Sequence, residues 1–131
     1  MCQELYHYGV KGMKWGVRRA VKKAERRATT YKKRAERYIQ SRNKVENGIK
    51  TGNVQKYGYK TKEQAIKDRA NWNRIIKSHQ KVAKNWMKTR DEILTKNISD
   101  VKEAKRLISY GELYTNIIFE EWIYTLNAIR D

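Results

Sequence analysis

Proline is absent from this 131-residue chain, and cysteine occurs once. Without proline, nothing locks φ or deletes a backbone donor inside a helix, so long helices meet no built-in break. The lone Cys2 permits no disulfide within the chain, and a reducing compartment is the default for such usage. Histidine is nearly as scarce, with His7 and His79 the two present. A zinc site would have to draw on carboxylates, and acids are few too, 14 Asp and Glu against 31 Lys and Arg. No metal and no cofactor are expected. Long hydrophobic runs are missing as well. No segment approaches the roughly 20 apolar residues that cross a bilayer, and Lys11 and Lys14 interrupt the N-terminus before a signal-peptide-like stretch forms. A soluble chain with no membrane partner is expected.

Catalytic patterns are missing in the same way. Cys2 and His7 would act as nucleophile and base only if rigid structure held them together, and a tail does not provide it. Gly9-Val10-Lys11-Gly12 lacks the flanking strand and the G-K-[ST] ending of a phosphate-cradling loop. No carboxylate pair stands out. A non-enzymatic protein is expected.

What the chain has is positive charge, unevenly placed. The net value is +17 and the sequence pI is about 10.1. Residues 1–60 carry 17 basic and 4 acidic side chains, residues 61–98 carry 10 and 4, and residues 99–131 carry 4 and 6. A field of that size attracts polyanions, nucleic acid first among them. Arg18, Arg19, Lys22, Lys23, Arg26, Arg27, Lys32, Lys33, Arg34 and Arg37 crowd one stretch in which Glu25 and Glu36 are the sole acids. Like charges at i,i+4 destabilise an isolated helix by a few tenths of a kcal/mol each, and a polyanion would remove that cost. These ten residues are the candidate polyanion contacts, to phosphate backbone and not to a base sequence.

Periodicity predicts three helices, over about 17–47, 61–97 and 100–130. The first has a narrow, alanine-rich seam at heptad-like spacing, Val17, Val21, Ala24, Ala28, Tyr31, Ala35 and Tyr38. The short turn at Asn97–Asp100 makes the second and third helices antiparallel neighbours, and the first reads as a basic rod that lies across them or reaches away from them. Gly48 to Lys60 reads as a loop, with Tyr57 and Tyr59 folding back over the helix ends. Thr61-Lys62-Glu63-Gln64 fits a capping box for the second helix, and Ser99 or Asp100 caps the third, with Glu103 placed to complete a box. The second helix has a heavier seam that includes Trp72, His79 and Trp86, read as core. The third is apolar in nearly every row, which predicts burial on more than one side, with a break or kink at Gly111. Tyr114, Ile118, Trp122, Ile123 and Leu126 are its candidate core or interface residues. The fold class is therefore all-α: an elongated helical hairpin or three-helix arrangement over 17–131, preceded by an extended docking segment over 1–16.

That segment is Tyr6-His7-Tyr8-Gly9-Val10-Lys11-Gly12-Met13-Lys14-Trp15-Gly16. Its glycines permit unusual backbone paths and close approach, and its rings supply contact area with a polar tip. Tyr6, His7, Tyr8, Gly9, Gly12, Met13, Lys14, Trp15 and Gly16 are the candidate docking residues. The spelling H-x-G-x-K-G-x-K-W-G-V-R-R from His7 to Arg19 resembles a short N-terminal signature of structural, head-associated proteins of tailed bacteriophages and prophages of Gram-positive bacteria. That resemblance implies a virion protein, in the capsid interior or head–tail region after assembly in the host cytoplasm. Its partners would be capsid, portal or neck subunits, DNA backbone, and a further copy of itself through the third helix. The rival expectation is an early phage regulator or counter-defence factor that binds host nucleic acid or a nucleic-acid-bound enzyme.

Overall fold

In the computed structural model the backbone of residues 13–130 and the side chains of residues 13–123 are described. Three helices carry the fold: α1 over Trp15–Thr51, α2 over Lys62–Thr95 and α3 over Val101–Arg130, with a 3₁₀ turn at Val54–Tyr57 between the first two. The fold is all-α, and no strand occurs among the described residues. Each helix end lies within a few residues of its expected place, the spread that fraying ends produce.

Local chemistry sets those ends. Gly52 terminates α1 in the left-handed region at φ 75, where a side chain would be strained. Thr61 caps α2 by accepting the Gln64 N–H at 3.2 Å, while the Gln64 side chain accepts the Lys60 N–H at 3.0 Å. Asp100 accepts the Lys102 N–H at 2.9 Å at the start of α3. Glu103 does not complete a box there; it pairs with Arg106 at 3.4 Å. Both loop tyrosines fold inward. The Tyr57 ring lies over Gly48 and its hydroxyl accepts from Asn47 Nδ2 at 3.0 Å. Tyr59 donates to Asp68, which also accepts from Trp72 Nε1 at 3.2 Å. Burial first, and the Asp68 carboxylate second, push the Tyr59 hydroxyl up to about 12.

The second and third helices pair as expected, and the placement of the first differs. The first helix neither crosses the others nor reaches away: α1 and α2 form the most extensive interface of the fold. Tyr38 meets Trp72, Glu46 meets Arg69 and Glu25 meets Arg90, so the two run antiparallel. The cause is size matching. The buried seam of α1, with Val17, Ala20, Val21, Ala24 and Ala28, is low enough to admit Val82, Trp86 and Ile93 of α2 into one cluster. Small residues bring two backbones close, and the bulky partners refill the space at interior density. α3 then lies antiparallel to α2 and parallel to α1, with Val101 against Gly16 and Phe119 against Tyr31.

α3 is also less buried than expected. Ala104, Ile108, Gly111, Thr115 and Ile118 face the hairpin, whereas Tyr110, Leu113, Ile117 and Ile123 are exposed. Tyr114 and Trp122 are half-buried, and the side chain of Leu126 lies outside the described residues. Nor does Gly111 break the helix. A Cβ there would sit 2.8 Å from Trp86 Cζ3, so the glycine makes room for the indole. Trp86 Nε1 donates to Thr115 Oγ1 at 2.9 Å, and Thr115 Oγ1 in turn donates to the Gly111 carbonyl at 2.8 Å.

His79 occupies an aromatic box, with ring centroids 4.9 Å from Tyr38, 4.8 Å from Phe119, 6.1 Å from Tyr31 and 6.5 Å from Trp122. Its Nδ1 lies 2.8 Å from the Ile75 carbonyl, to which it donates. Burial holds its pKa below the ordinary 6.5, the Ile75 carbonyl opposes that, and nearby Arg34 adds to it.

Two measurements check this core. Gly111→Val should lower unfolding free energy by about 2–3 kcal/mol through overpacking against Trp86, read from urea denaturation midpoints. For His79, the unfolded chain takes up a proton below its ordinary pKa that the folded chain refuses, so stability falls as pH falls. Denaturation between about pH 7.5 and 5.5 should show that decline, and His79→Phe should flatten it.

Candidate functional site

Helical geometry sorts the candidate cations into three groups. Arg19, Lys22, Arg26, Lys33 and Arg37 are all exposed, and Lys44 extends the row. At 100° per residue they share the face of α1 opposite its buried seam. From Arg19 to Lys44 the row runs about 37 Å at a rise of about 1.5 Å per residue. None of the six takes part in an ion pair among the described residues. The two acids of the stretch point elsewhere: Glu25 toward Arg90 at 3.9 Å, and Glu36 into the groove between α1 and α2.

A second group has structural work. Lys23 and Arg27 converge on Glu112 of α3 at 3.0 and 3.4 Å, and Arg27 also lies over the Trp86 ring at 5.9 Å. Arg18 departs from the exposed set altogether. It is 6% exposed, and its guanidinium lies 4.0 Å from the Trp15 ring centroid. The third group, Lys32 and Arg34, is exposed on the flanks, with Arg34 over Tyr31 at 5.3 Å.

The sequence reading missed a second cationic face. Lys77, Lys81, Lys84 and Lys88 of α2 are exposed at i, i+4, i+7 and i+11, a spacing that keeps them on one side of the helix. No acid falls between Asp68 and Asp91. The heavy apolar seam of α2 drew attention to its core side, although the lysine spacing was legible in the letters alone. The two helices also bring cations together. Lys32 and Lys84 both line a groove of about 750 Å³ between α1 and α2 that is floored by Ala28, Ala35 and Ala83. Arg74, Lys77 and Lys81 line a smaller one of about 260 Å³ against Ile118, Glu121 and Trp122 of α3.

Of the docking residues, Tyr6, His7, Tyr8, Gly9 and Gly12 lie outside the described residues, as does Cys2. The remaining four divide by side. Met13 is 6% exposed within the main cluster, and a Cβ on Gly16 would meet the Val101 side chain at 2.6 Å. Trp15 is 55% exposed and Lys14 is exposed. Trp15 and Gly16 belong to the first turn of α1 and not to an extended segment. The first turn of α1 is held by burial, with Met13 and Val17 in the main core cluster and Gly16 against Val101 at the start of α3.

A family of unknown function, DUF7211, matches residues 2–22. The match takes in the N-terminal segment and the first turns of α1, where Met13, Gly16 and Val17 face inward and Trp15, Arg19 and Lys22 face out. No curated protein and no solved structure matches the chain. Among the described residues, no group of three or more His, Cys, Asp or Glu side chains is placed to hold a metal ion. No helix there is long and apolar enough to cross a membrane.

The division inside the signature has a direct check. Met13→Ala should cost about 2–3 kcal/mol of stability through the cavity it leaves. Trp15→Ala should cost less than about 1 kcal/mol, the worth of its contact with Arg18. Equilibrium denaturation of both variants measures the difference.

Proposed function

We propose that this chain is a non-enzymatic structural protein of a tailed-phage particle. It lays its cationic helix faces along the phosphate backbone of DNA and offers its N-terminal signature to a capsid, portal or neck subunit. The observation that carries the polyanion reading is the row Arg19, Lys22, Arg26, Lys33, Arg37 and Lys44, exposed on one face and without ion pairs among the described residues. Its length of about 37 Å is close to one turn of B-DNA, about 34–36 Å. The α2 row of Lys77, Lys81, Lys84 and Lys88 adds a second contact surface. Support for the phage setting comes from the spelling of His7–Arg19 and its resemblance to head-associated proteins. Support for docking comes from Trp15, a large ring left in water at the edge of that signature.

Binding of this kind has a quantitative mark. Each neutralised phosphate contributes about 0.9 to the slope of log K against log salt, so six contacts make affinity fall about 10³-fold between about 50 and 200 mM. Changing Arg26, Lys33 and Arg37 together to Gln should reduce that slope by about 2–3 with little effect on folding. Fluorescence anisotropy with duplexes of unrelated sequence measures both, and the duplexes should bind alike. Affinity that ignores salt, or that ignores the triple change, defeats the polyanion reading. Mass spectrometry of purified particles that lack the chain defeats the virion reading.

A further inference from the structure

The outer face of α3, turned away from the hairpin, carries Tyr110, Leu113 and Ile117, exposed to 59%, 56% and 45%. Their spacing of i, i+3 and i+7 is that of a helix–helix seam. Arg106 is exposed ahead of this patch, and Glu120 is exposed behind it. The face is therefore basic at one end, apolar in the middle and acidic at the other.

We propose that a second copy of this chain covers this face, α3 against α3, antiparallel about a two-fold axis near Leu113. Reversing the helix about a point between Leu113 and Tyr114 sets Tyr110 opposite Ile117 and Leu113 beside its own copy. The same operation brings Arg106 within one residue of the position opposite Glu120. A parallel pairing would instead stack Arg106 on Arg106 and carboxylate on carboxylate, so charge selects the antiparallel register. A surface complementary to itself under a two-fold makes a closed dimer, not a growing chain.

Arg106 at present holds an exposed pair with Glu103 at 3.4 Å, an interaction weak enough to exchange. The net charge of +17 does not forbid the contact, because residues 99–131 carry 4 basic and 6 acidic side chains. From Arg106 to Glu120 the contact is about 21 Å long, a small interface that places the dimer at the weak end of the range. Association should therefore depend on concentration. It does not rest on the polyanion reading, and the test contains no nucleic acid.

Sedimentation velocity of the full chain carrying Cys2→Ser, in about 0.3 M salt to shorten the reach of its charge, should show mass rising with concentration toward twice 15.7 kDa. Leu113→Glu should weaken association about tenfold or more, with helix content and melting unchanged, since Leu113 is exposed. Arg106→Glu should weaken it too, and adding Glu120→Arg should restore it. For register, an equal mixture of Tyr110→Cys and Ile117→Cys chains, both in the Cys2→Ser background, should form the mixed disulfide, and each alone should form little. A monomer at every concentration overturns the proposal. So does a dimer indifferent to Leu113→Glu, or one in which each cysteine variant links to itself.

Discussion

Trp86 is the side chain through which all three helices agree on their positions. It projects from α2 into the alanine-lined cluster of α1, lies under Gly111 of α3, and donates to Thr115 one turn further along that helix. An indole has one shape and one donor, so it fixes both distance and rotation. The glycine sets how near α3 comes, and the hydroxyl sets which way α3 faces. Arg27, lying over the ring from α1, then falls beside Glu112 without further adjustment. Alanine, glycine and threonine each read as weak core residues alone, yet here each is the negative of a tryptophan edge.

This packing also decides where charge goes. The acids of the chain are few, and several are spent at the joints between helices: Glu112 with Lys23 and Arg27, Glu46 with Arg69, Glu25 with Arg90. What remains on the outer faces of α1 and α2 is almost wholly cationic. Exposed pairs of this sort add little stability, so their larger effect is on sorting. Carboxylates retained near contacts leave the outward lysines and arginines of α1 and α2 without local opposition, and that lets those two faces keep one sign.

Much of the fold is legible in the letters. The lack of proline, the glycines clustered near residues 48–58 and the Thr61–Gln64 signal mark out three long helices, and Trp86 and His79 fall on seams that can only be core. The short turn at Asn97–Asp100 marks α2 and α3 as antiparallel neighbours, but the partner of α1 is not legible in the same way. Periodicity says which face of a helix is buried, not which neighbour buries it, so the thin seam of α1 reads as weak until it meets the bulky seam of α2. The burial of Arg18 escapes notice because a cation in a basic run looks like its neighbours, whereas in the fold it is 6% exposed beside the ring of Trp15. On α3, apolar residues in nearly every row suggest burial all round, but a single packed face leaves Tyr110, Leu113 and Ile117 outside. Of the candidate site, the exposed cations of α1 follow from the sequence, while the α2 row is hidden behind the more conspicuous tryptophans on its other side.

The antiparallel hairpin gives the molecule two unlike poles. At one, Met13 and Gly16 seat the start of α1 beside Val101, close to the turn where Asn97 takes φ 49. At the other stands the elbow sealed by Tyr57 and Tyr59. The 37-residue α1 separates the poles by about 55 Å. Residues ahead of Met13 are joined to the shaft at its first pole. A body bound to them, as the proposed function has it, would hold the molecule like a peg by its tip.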